Sequence, residues 1–117
     1  MDCLNYFAHD YASARLKFRE AAEAAGSELV IYENGGETPD GETLSTDVAL
    51  LGGPAARRVL VANAGTHGVE GFCGSGALVG WLRSARYRAL EANVRVVLVD
   101  ALNPFGFAWL RRVNEDN

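Results

Sequence analysis

The N-terminal part of the chain alternates apolar and polar positions with the spacing of a helix. Tyr11, Ala14 and Phe18 recur at every third or fourth position, and alanine is frequent among them. Asp10 is suited to cap the first turn, and Gly26 is suited to end the last one. The pattern therefore predicts a helix over residues 10–25.

Further segments are typical of strands, because they are short, rich in β-branched residues and bounded by turn-forming residues. They cover residues 28–32, 43–51, 58–64 and 94–102. The first two flank a turn-rich stretch, NGGETPDGE at residues 34–42, and predict a β-hairpin. The last two are apolar at almost every position, which is typical of strands buried on both faces.

A helix is predicted between the last two strands, over residues 77–90, because Leu78, Trp81 and Leu82 fall on one side of it. A strand, a helix and a second strand in this order predict a parallel βαβ unit with a right-handed crossover. Together with the hairpin, this unit predicts an α/β domain over residues 1–117, with a mixed sheet and helices on both faces.

Composition and charge narrow the classes of function. The chain has 117 residues, and 49% of them are hydrophobic, which is enough to form a hydrophobic core. Its net charge is −4, whereas a protein that binds nucleic acid needs a basic surface. No apolar run approaches the roughly 20 residues of a membrane span, and we recognise no signal peptide. Two cysteines are too few for a disulfide scaffold. We therefore expect a cytoplasmic protein with no membrane or nucleic-acid partner.

Candidate chemistry follows the two apolar runs, at the edge of a parallel sheet where ligands bind. The stretch GTHGVEG, residues 65–71, follows the first run. Asn103 and Pro104 follow the second run, and Arg111 and Arg112 come shortly after them. If the two strands are neighbours, all of these residues converge on one rim.

His67 and Glu70 are the most informative pair on this rim. Their spacing of three lets an imidazole and a carboxylate reach one point about 2 Å from each, as a zinc ion requires. The His-x-x-Glu spacing is common by chance, so a second interpretation stays open. In that interpretation His67 caps a turn, and Glu70 begins a helix whose dipole its charge complements.

Other residues carry weaker signals. The Gly-rich loop lacks the Lys-Ser or Lys-Thr of a phosphate loop, and Ser75 is not in a Gly-x-Ser-x-Gly nucleophile elbow. We expect Cys73 to be a small buried residue, and His9 to be solvated or a cap. Asp100 either orients His67 or is satisfied by nearby backbone N–H groups. Three aromatic residues near the C-terminal end are expected to pack in the core rather than to line a specificity pocket: Phe105, Phe107 and Trp109.

Several segments, taken in order, resemble a known family. They are residues 7–15 (FAHDYASAR), 40–44 (DGETL) with 47–49, 63–76 (NAGTHGVEGFCGSG), 101–108 (ALNPFGFA) and 111–117 (RRVNEDN). The chain looks like the N-terminal portion of the DUF2817 family, a branch of the zinc carboxypeptidase-like metallopeptidases. The resemblance implies a fold of the phosphorylase/hydrolase-like, zinc carboxypeptidase-like type, of which this chain is an incomplete part.

The resemblance implies a zinc-dependent hydrolase that cleaves a peptide or amide bond. His67 and Glu70 would be the first two ligands of Zn²⁺, and Asn103 would contribute to substrate binding. An arginine after the Asn-Pro segment would contact the carbonyl or its oxyanion, and either Arg111 or Arg112 matches that position. The substrate would be a peptide or an acyl-amino acid.

Members of this family continue beyond the matching segments to a third metal ligand and a Glu general base, which this sequence does not contain. We therefore expect the chain to be an N-terminal part that is inactive alone. Two alternatives stay open. One is a zinc deacylase of the succinylglutamate desuccinylase or aspartoacylase type. The other is a non-catalytic remnant whose exposed strand edge favours a homo-oligomer.

Overall fold

In the part of the chain that the structure describes, four strands form one mixed sheet, and two helices pack on one of its faces. The computed structural model describes residues 2–90 and 92–117. The helices and strands are α1 (Tyr11–Ala24), β1 (Glu28–Glu37), β2 (Thr43–Leu51), β3 (Arg58–Asn63), α2 (Gly71–Arg83), β4 (Val94–Asp100) and α3 (Pro104–Ala108). Single 3₁₀ turns lie at Cys3–Tyr6 and Arg86–Ala89.

The first helix begins and ends where its sequence signals indicate. The Asp10 carboxylate accepts a hydrogen bond from the Ser13 backbone N–H at 2.7 Å, as an N-cap does. Gly26 follows the helix with φ +73°, a left-handed conformation that costs glycine little. The prediction of α1 is confirmed.

The strand order is β1-β2-β4-β3. β1 and β2 pair antiparallel as the predicted hairpin, and β3 and β4 pair in parallel as the predicted βαβ unit. An antiparallel pairing of β2 with β4 joins the two units. β1 is longer than predicted, because it resumes pairing at Glu37 after a register shift that begins at Glu33.

The main buried core lies on one face of the sheet. It combines side chains of α1 and α2 with one face of the inner strands, and its buried members are Phe18, Ala21, Ala22, Ala49, Leu51, Val79, Leu82, Val96 and Leu98. Because α1 and α2 both pack on this face, the expectation of helices on both faces is wrong for the described residues. A smaller cluster joins α1 to α3 through Tyr11 and Phe107, whose rings meet edge to face at 5.6 Å.

β3 is an edge strand and is not buried on both faces, contrary to the prediction from its apolar run. Val59, Leu60 and Val61 are 60%, 45% and 59% exposed. The physical reason is twofold: Val59 and Val61 lie on the sheet face opposite the main core, which α1 and α2 do not cover, and Leu60 lies on the outermost strand of the described sheet. An apolar run predicts a strand, but it does not determine which of the strand's two faces is covered.

The second helix begins six residues earlier than predicted, at Gly71 rather than residue 77, and ends at Arg83. Glycines weaken helices, so the sequence GFCGSG argues against an early start. Here they allow close packing. A Cβ at Gly71 would overlap the Phe107 ring, and one at Gly74 would lie 2.9 Å from the Ala64 Cβ. Contacts between distant segments therefore outweigh local propensity.

No helix in the described part of the chain has both the length and the apolar character needed to span a membrane.

Candidate functional site

The loops that follow β3 and β4 are joined at one rim of the sheet. The Ala64 carbonyl accepts a hydrogen bond from the Leu102 N–H, and the Gly65 carbonyl accepts one from the Asn103 N–H, both at 2.8 Å. The regular parallel register ends at Asn63 and Val99, and these two bonds hold the following loops together with a shift of one residue. The expected convergence of the two loops is therefore confirmed.

Glycines let these loops approach more closely than side chains would permit. Gly65 has φ +72°, and a Cβ there would lie 2.6 Å from the Ala101 Cβ. Gly68 lies directly against the backbone carbonyls of Gly106 and Arg111. The loop that carries His67 is thus packed against the segment that carries the two arginines.

A polar cleft of about 440 Å³ opens at this rim. Most of its lining is polar, and it consists of Asn34, Thr66, His67, Leu102, Asn103, Pro104, Arg112, Val113, Asn114, Glu115 and Asn117. His67 is half-buried in this wall. Asn34 comes from β1, and no motif in the sequence indicated that the hairpin reaches the rim.

His67 and Glu70 occupy the turn that leads into α2. The Gly71 N–H donates to the His67 carbonyl at 3.1 Å, so one helical turn links the two residues. Glu70 is the N-cap residue of α2, yet its carboxylate makes no capping hydrogen bond and is exposed. His67 lines the cleft, whereas Glu70 is not among the lining residues.

The donor set for a metal is incomplete. Within residues 2–90 and 92–117, no three His, Cys, Asp or Glu side chains gather in a group that could hold a metal ion. A catalytic zinc takes three protein ligands and a water. The described residues by themselves therefore do not form a complete catalytic zinc site.

The two candidate arginines differ in position. Arg112 lines the cleft together with His67. Arg111 is held through its backbone, whose N–H donates to the Gly106 carbonyl at 2.8 Å and whose own carbonyl lies against Gly68. The sequence alone did not decide which of the two arginines would reach the site. In the structure, Arg112 lines the cleft and Arg111 does not.

Asn103 lies in the cleft wall, and its side chain also makes two hydrogen bonds that stabilise the loops. Its Oδ1 accepts a hydrogen bond from the Gly106 N–H at 3.0 Å, which caps α3. Its amide Nδ2 donates to the Thr66 carbonyl at 3.4 Å. Asn103 therefore ties the two loops together at the rim, where a substrate group would also meet it.

A buried carboxylate, Asp100, lies at the end of β4. Its Oδ2 accepts a hydrogen bond from the Ser75 hydroxyl at 2.7 Å, and its buried Oδ1 has no hydrogen-bond partner among the described residues. Burial raises the pKa of Asp100 to about 7; the Ser75 hydrogen bond opposes this shift and the nearby charge of Asp47 adds to it. Neither sequence-based interpretation of Asp100 was right, because its partner is a serine hydroxyl.

Asp47 is buried beside Asp100 but is fully paired. Arg19 donates to its two oxygens at 2.6 and 3.1 Å, and the Ser45 hydroxyl donates at 2.8 Å. The hydrogen bond that Arg19 donates to Asp47 raises the pKa of the Arg19 guanidinium. The pair forms a structural link between α1 and β2, away from the cleft.

The expected burial or exposure of Cys73, His9 and the aromatic residues is confirmed for some of these side chains and wrong for others. Cys73 is exposed, so its expected burial is wrong; it lies on the outer side of α2. His9 is exposed, as expected. Phe107 is buried in the smaller core cluster as expected, whereas Trp109 is partly exposed and donates from Nε1 to the Glu37 carbonyl at 2.8 Å. That bond fixes the end of β1 near the rim.

The chain belongs to the DUF2817 family, described as "Protein of unknown function (DUF2817)", whose profile matches residues 7–117. A solved structure of Fimbriiglobus ruber glutaminyl cyclase is similar, with 13% identity and a TM-score of 0.48. The similarity covers 75% of this chain and 36% of that one, so this chain spans about a third of that protein. No curated protein matches the sequence.

Proposed function

We propose that this chain supplies part of the active site of a zinc-dependent hydrolase that cleaves a peptide or amide bond in the manner of a metallocarboxypeptidase. The observation that carries the proposal is the meeting of His67 and Arg112 in one polar cleft, at the carboxyl ends of two parallel strands. Ligand sites of α/β sheets form at this position. The sequence around His67 and Glu70 is the segment that resembles a zinc site.

In this proposal, His67 and Glu70 hold the metal. The free carboxylate of Glu70 makes no capping bond, so nothing in the fold has to be broken for it to turn toward a cation beside His67. Zinc, when bound, polarises a scissile carbonyl and lowers the pKa of its bound water. A third donor has to join them, because the described residues supply only two.

Arg112 and Asn103 would act on the substrate. Arg112 lines the cleft, and its guanidinium makes no ion pair with another described residue. Its fixed positive charge and forked donors suit a carboxylate or a developing oxyanion. Asn103 holds the Thr66 carbonyl and the start of α3, so it keeps the two walls of the cleft at a constant separation.

We expect zinc affinity to fall at least about tenfold in His67→Ala and in Glu70→Gln, because each change removes one donor. Binding of zinc by the wild type is expected to be weak, since two protein ligands are fewer than a catalytic site uses. The measurement is isothermal titration with zinc chloride, supported by metal content after dialysis. His9→Ala and Cys73→Ser are matched controls, because both side chains are exposed and lie outside the cleft.

Equal zinc binding by the wild type and both site variants would contradict the metal proposal. Loss of binding only in Cys73→Ser would do so as well, since it would assign the metal to a surface thiol. Far-ultraviolet circular dichroism of each variant establishes that the fold is retained.

The two arginines offer a second test that needs no catalytic turnover. We expect Arg112→Gln to weaken binding of N-acetylglycine by about tenfold, because a charge-assisted hydrogen bond in the cleft is lost. Arg111→Gln should leave the affinity within about twofold, since Arg111 does not line the cleft. Chemical-shift titration by NMR measures both. The reverse pattern would show that Arg111 is the residue that meets the ligand.

A further inference from the structure

Asp100 belongs to the core-facing row of β4. Val96, Leu98 and Asp100 alternate along this strand and are all buried, so the carboxylate lies on the face of the sheet that α1 and α2 cover. Asp100 is 4% exposed. Its surroundings come from helices and strands of this chain, so no further polypeptide is needed to bury it.

The Asp100 carboxylate has a single hydrogen-bond partner among the described residues. The Ser75 hydroxyl, itself buried, lies 2.7 Å from Oδ2, and the buried Oδ1 has no partner. A gap that adjoins Asp100, between α1 and the Phe107 ring, is too small to hold a water molecule. A negative charge on Asp100 would therefore be stabilised by one donor alone, which is costly inside a protein.

A second carboxylate faces Asp100 from the neighbouring strand. The register of β2 and β4 places Asp47 directly opposite Asp100, and like charges in such a cross-strand pair repel each other. Arg19 donates to both oxygens of Asp47, so Asp47 keeps its charge within an ion pair. The guanidinium of Arg19 is thereby engaged by Asp47 and does not neutralise a second carboxylate.

The other polar side chains of α1 beside Asp100 are engaged elsewhere. Arg15 donates to the Thr43 carbonyl at 2.9 Å, and the Tyr11 hydroxyl donates to the Ser45 carbonyl at 2.9 Å. The side chains that face Asp100 from α2 and α3 are a hydroxyl and a phenyl ring, and neither carries a charge. The surroundings of Asp100 therefore contain one unopposed charge of the same sign and no free cation among the described residues.

A protonated Asp100 suits these surroundings. A proton on Oδ2 is donated to the Ser75 Oγ, and Oδ1 then remains as an uncharged carbonyl oxygen. Burial accordingly raises the pKa of this carboxyl to about 7. Loss of the proton places two negative charges opposite each other, and the strain is relieved when the end of β4 moves toward water.

The end of β4 also forms one wall of the cleft. Leu102 and Asn103 follow Asp100 closely in the chain and line the cleft together with His67. The N–H groups of Leu102 and Asn103 donate to carbonyls of the loop that follows β3, both at 2.8 Å. A movement of Asp100 is therefore transmitted to the bonds that join the two loops of the rim.

We propose that the proton on Asp100 acts as a latch for this wall of the cleft. With the proton bound, the carboxyl holds the end of β4 against α2, and residues 101–103 stay bonded to the loop after β3. When the proton is lost, the carboxylate turns toward water and these bonds open, which widens the cleft beside His67. The proposal concerns the shape of the cleft and does not depend on what the cleft binds.

Amide hydrogen exchange of the 117-residue chain, followed by NMR and corrected for intrinsic exchange rates, tests the latch. From about pH 5 to about pH 8, the protection factors of the Leu102 and Asn103 amides should fall at least about tenfold, because the opened state ionises at a lower pH than the closed state. Amides of β2 that pair with β4 should lose less protection, since the latch opens the rim and not the sheet.

Three variants separate the latch from other causes. Asp100→Asn cannot ionise, so protection at Leu102 and Asn103 should change by less than about threefold over the same range. Ser75→Ala removes a hydrogen bond that favours the charged form, so the fall should move to higher pH. Asp10→Asn changes an exposed carboxylate whose pKa is lowered, and it should behave as the wild type.

Each other outcome overturns the proposal. Rim protection that does not change with pH in the wild type shows that ionisation of Asp100 opens nothing. A fall that persists in Asp100→Asn belongs to another group of the rim, such as His67. An equal fall at every amide of the sheet is global unfolding. Circular dichroism establishes that each variant is folded, and if Asp100→Asn is not, an unshifted fall in Ser75→Ala still contradicts the latch.

Discussion

Replacing the buried carboxylate of Asp100 with the amide of asparagine is expected to remove a large pH-dependent loss of stability. In the wild type, the unfolded chain ionises Asp100 near its ordinary pKa of 3.8, whereas burial raises the folded-state pKa to about 7. Between these two values the folded state binds more protons than the unfolded state. The free energy of unfolding contributed by Asp100 is therefore fully present below pH 3.8, falls as the pH rises, and reaches its lowest level above about pH 7.

The size of the effect follows from the shift. Each pKa unit corresponds to about 1.4 kcal/mol, so ionisation of Asp100 costs the folded state on the order of 4 kcal/mol above pH 7. Asparagine keeps an oxygen for the Ser75 hydroxyl, but it places an N–H₂ group where Oδ1 has no partner, at a cost of about 1–3 kcal/mol at every pH. We therefore expect Asp100→Asn to be less stable than the wild type near pH 4 and more stable near pH 9.

Urea unfolding of both proteins across this pH range measures the difference directly, and carbon-13 NMR of the Asp100 carboxyl measures its titration. Asp10→Asn is the matched control. The backbone N–H of Ser13 lowers the pKa of this exposed carboxylate, so its small contribution to stability is present at neutral pH and is lost on acidification. A constant difference between Asp100→Asn and the wild type would mean that Asp100 does not ionise in this range.

The elements with strong local signals were predictable, and those decided by distant contacts were not. Asp10 and Gly26 determine the ends of α1 through their own backbone and side-chain chemistry, so the sequence was sufficient there. The start of α2 depends on Phe107, which lies far along the chain and occupies the space beside Gly71. The sequence around Gly71 contains no sign of that ring.

In the candidate site, too, some features follow from local sequence and others depend on contacts between distant segments. The position of His67 at a strand end follows from local pattern and from the rule for parallel sheets. The choice between Arg112 and Arg111 depends on how the last segment turns over Gly68, which is a contact between two loops. The pairing of Asp100 with Ser75 spans 25 positions, and neither residue carries a signal that points to the other.

Gly68→Ala is expected to disrupt the rim more than any other single methyl group added to its loops. The added Cβ would overlap two backbone oxygens, the carbonyls of Gly106 and Arg111. Backbone atoms cannot move aside as a flexible side chain can, so the loop that carries His67 has to separate from the segment that carries Arg112. Overpacking typically costs 1–3 kcal/mol, and we expect a loss of about 3 kcal/mol in the free energy of unfolding here.

The urea midpoint of Gly68→Ala, measured against that of Gly53→Ala, tests this packing. A Cβ at Gly53 meets nothing within 4 Å, so that control should be neutral or slightly stabilising, because alanine restricts the unfolded chain. Zinc affinity should fall together with stability in Gly68→Ala, since both depend on the same loop. If Gly68→Ala were as stable as the control, the two loops would not be in contact. The shared cleft of His67 and Arg112 would then lose its physical basis.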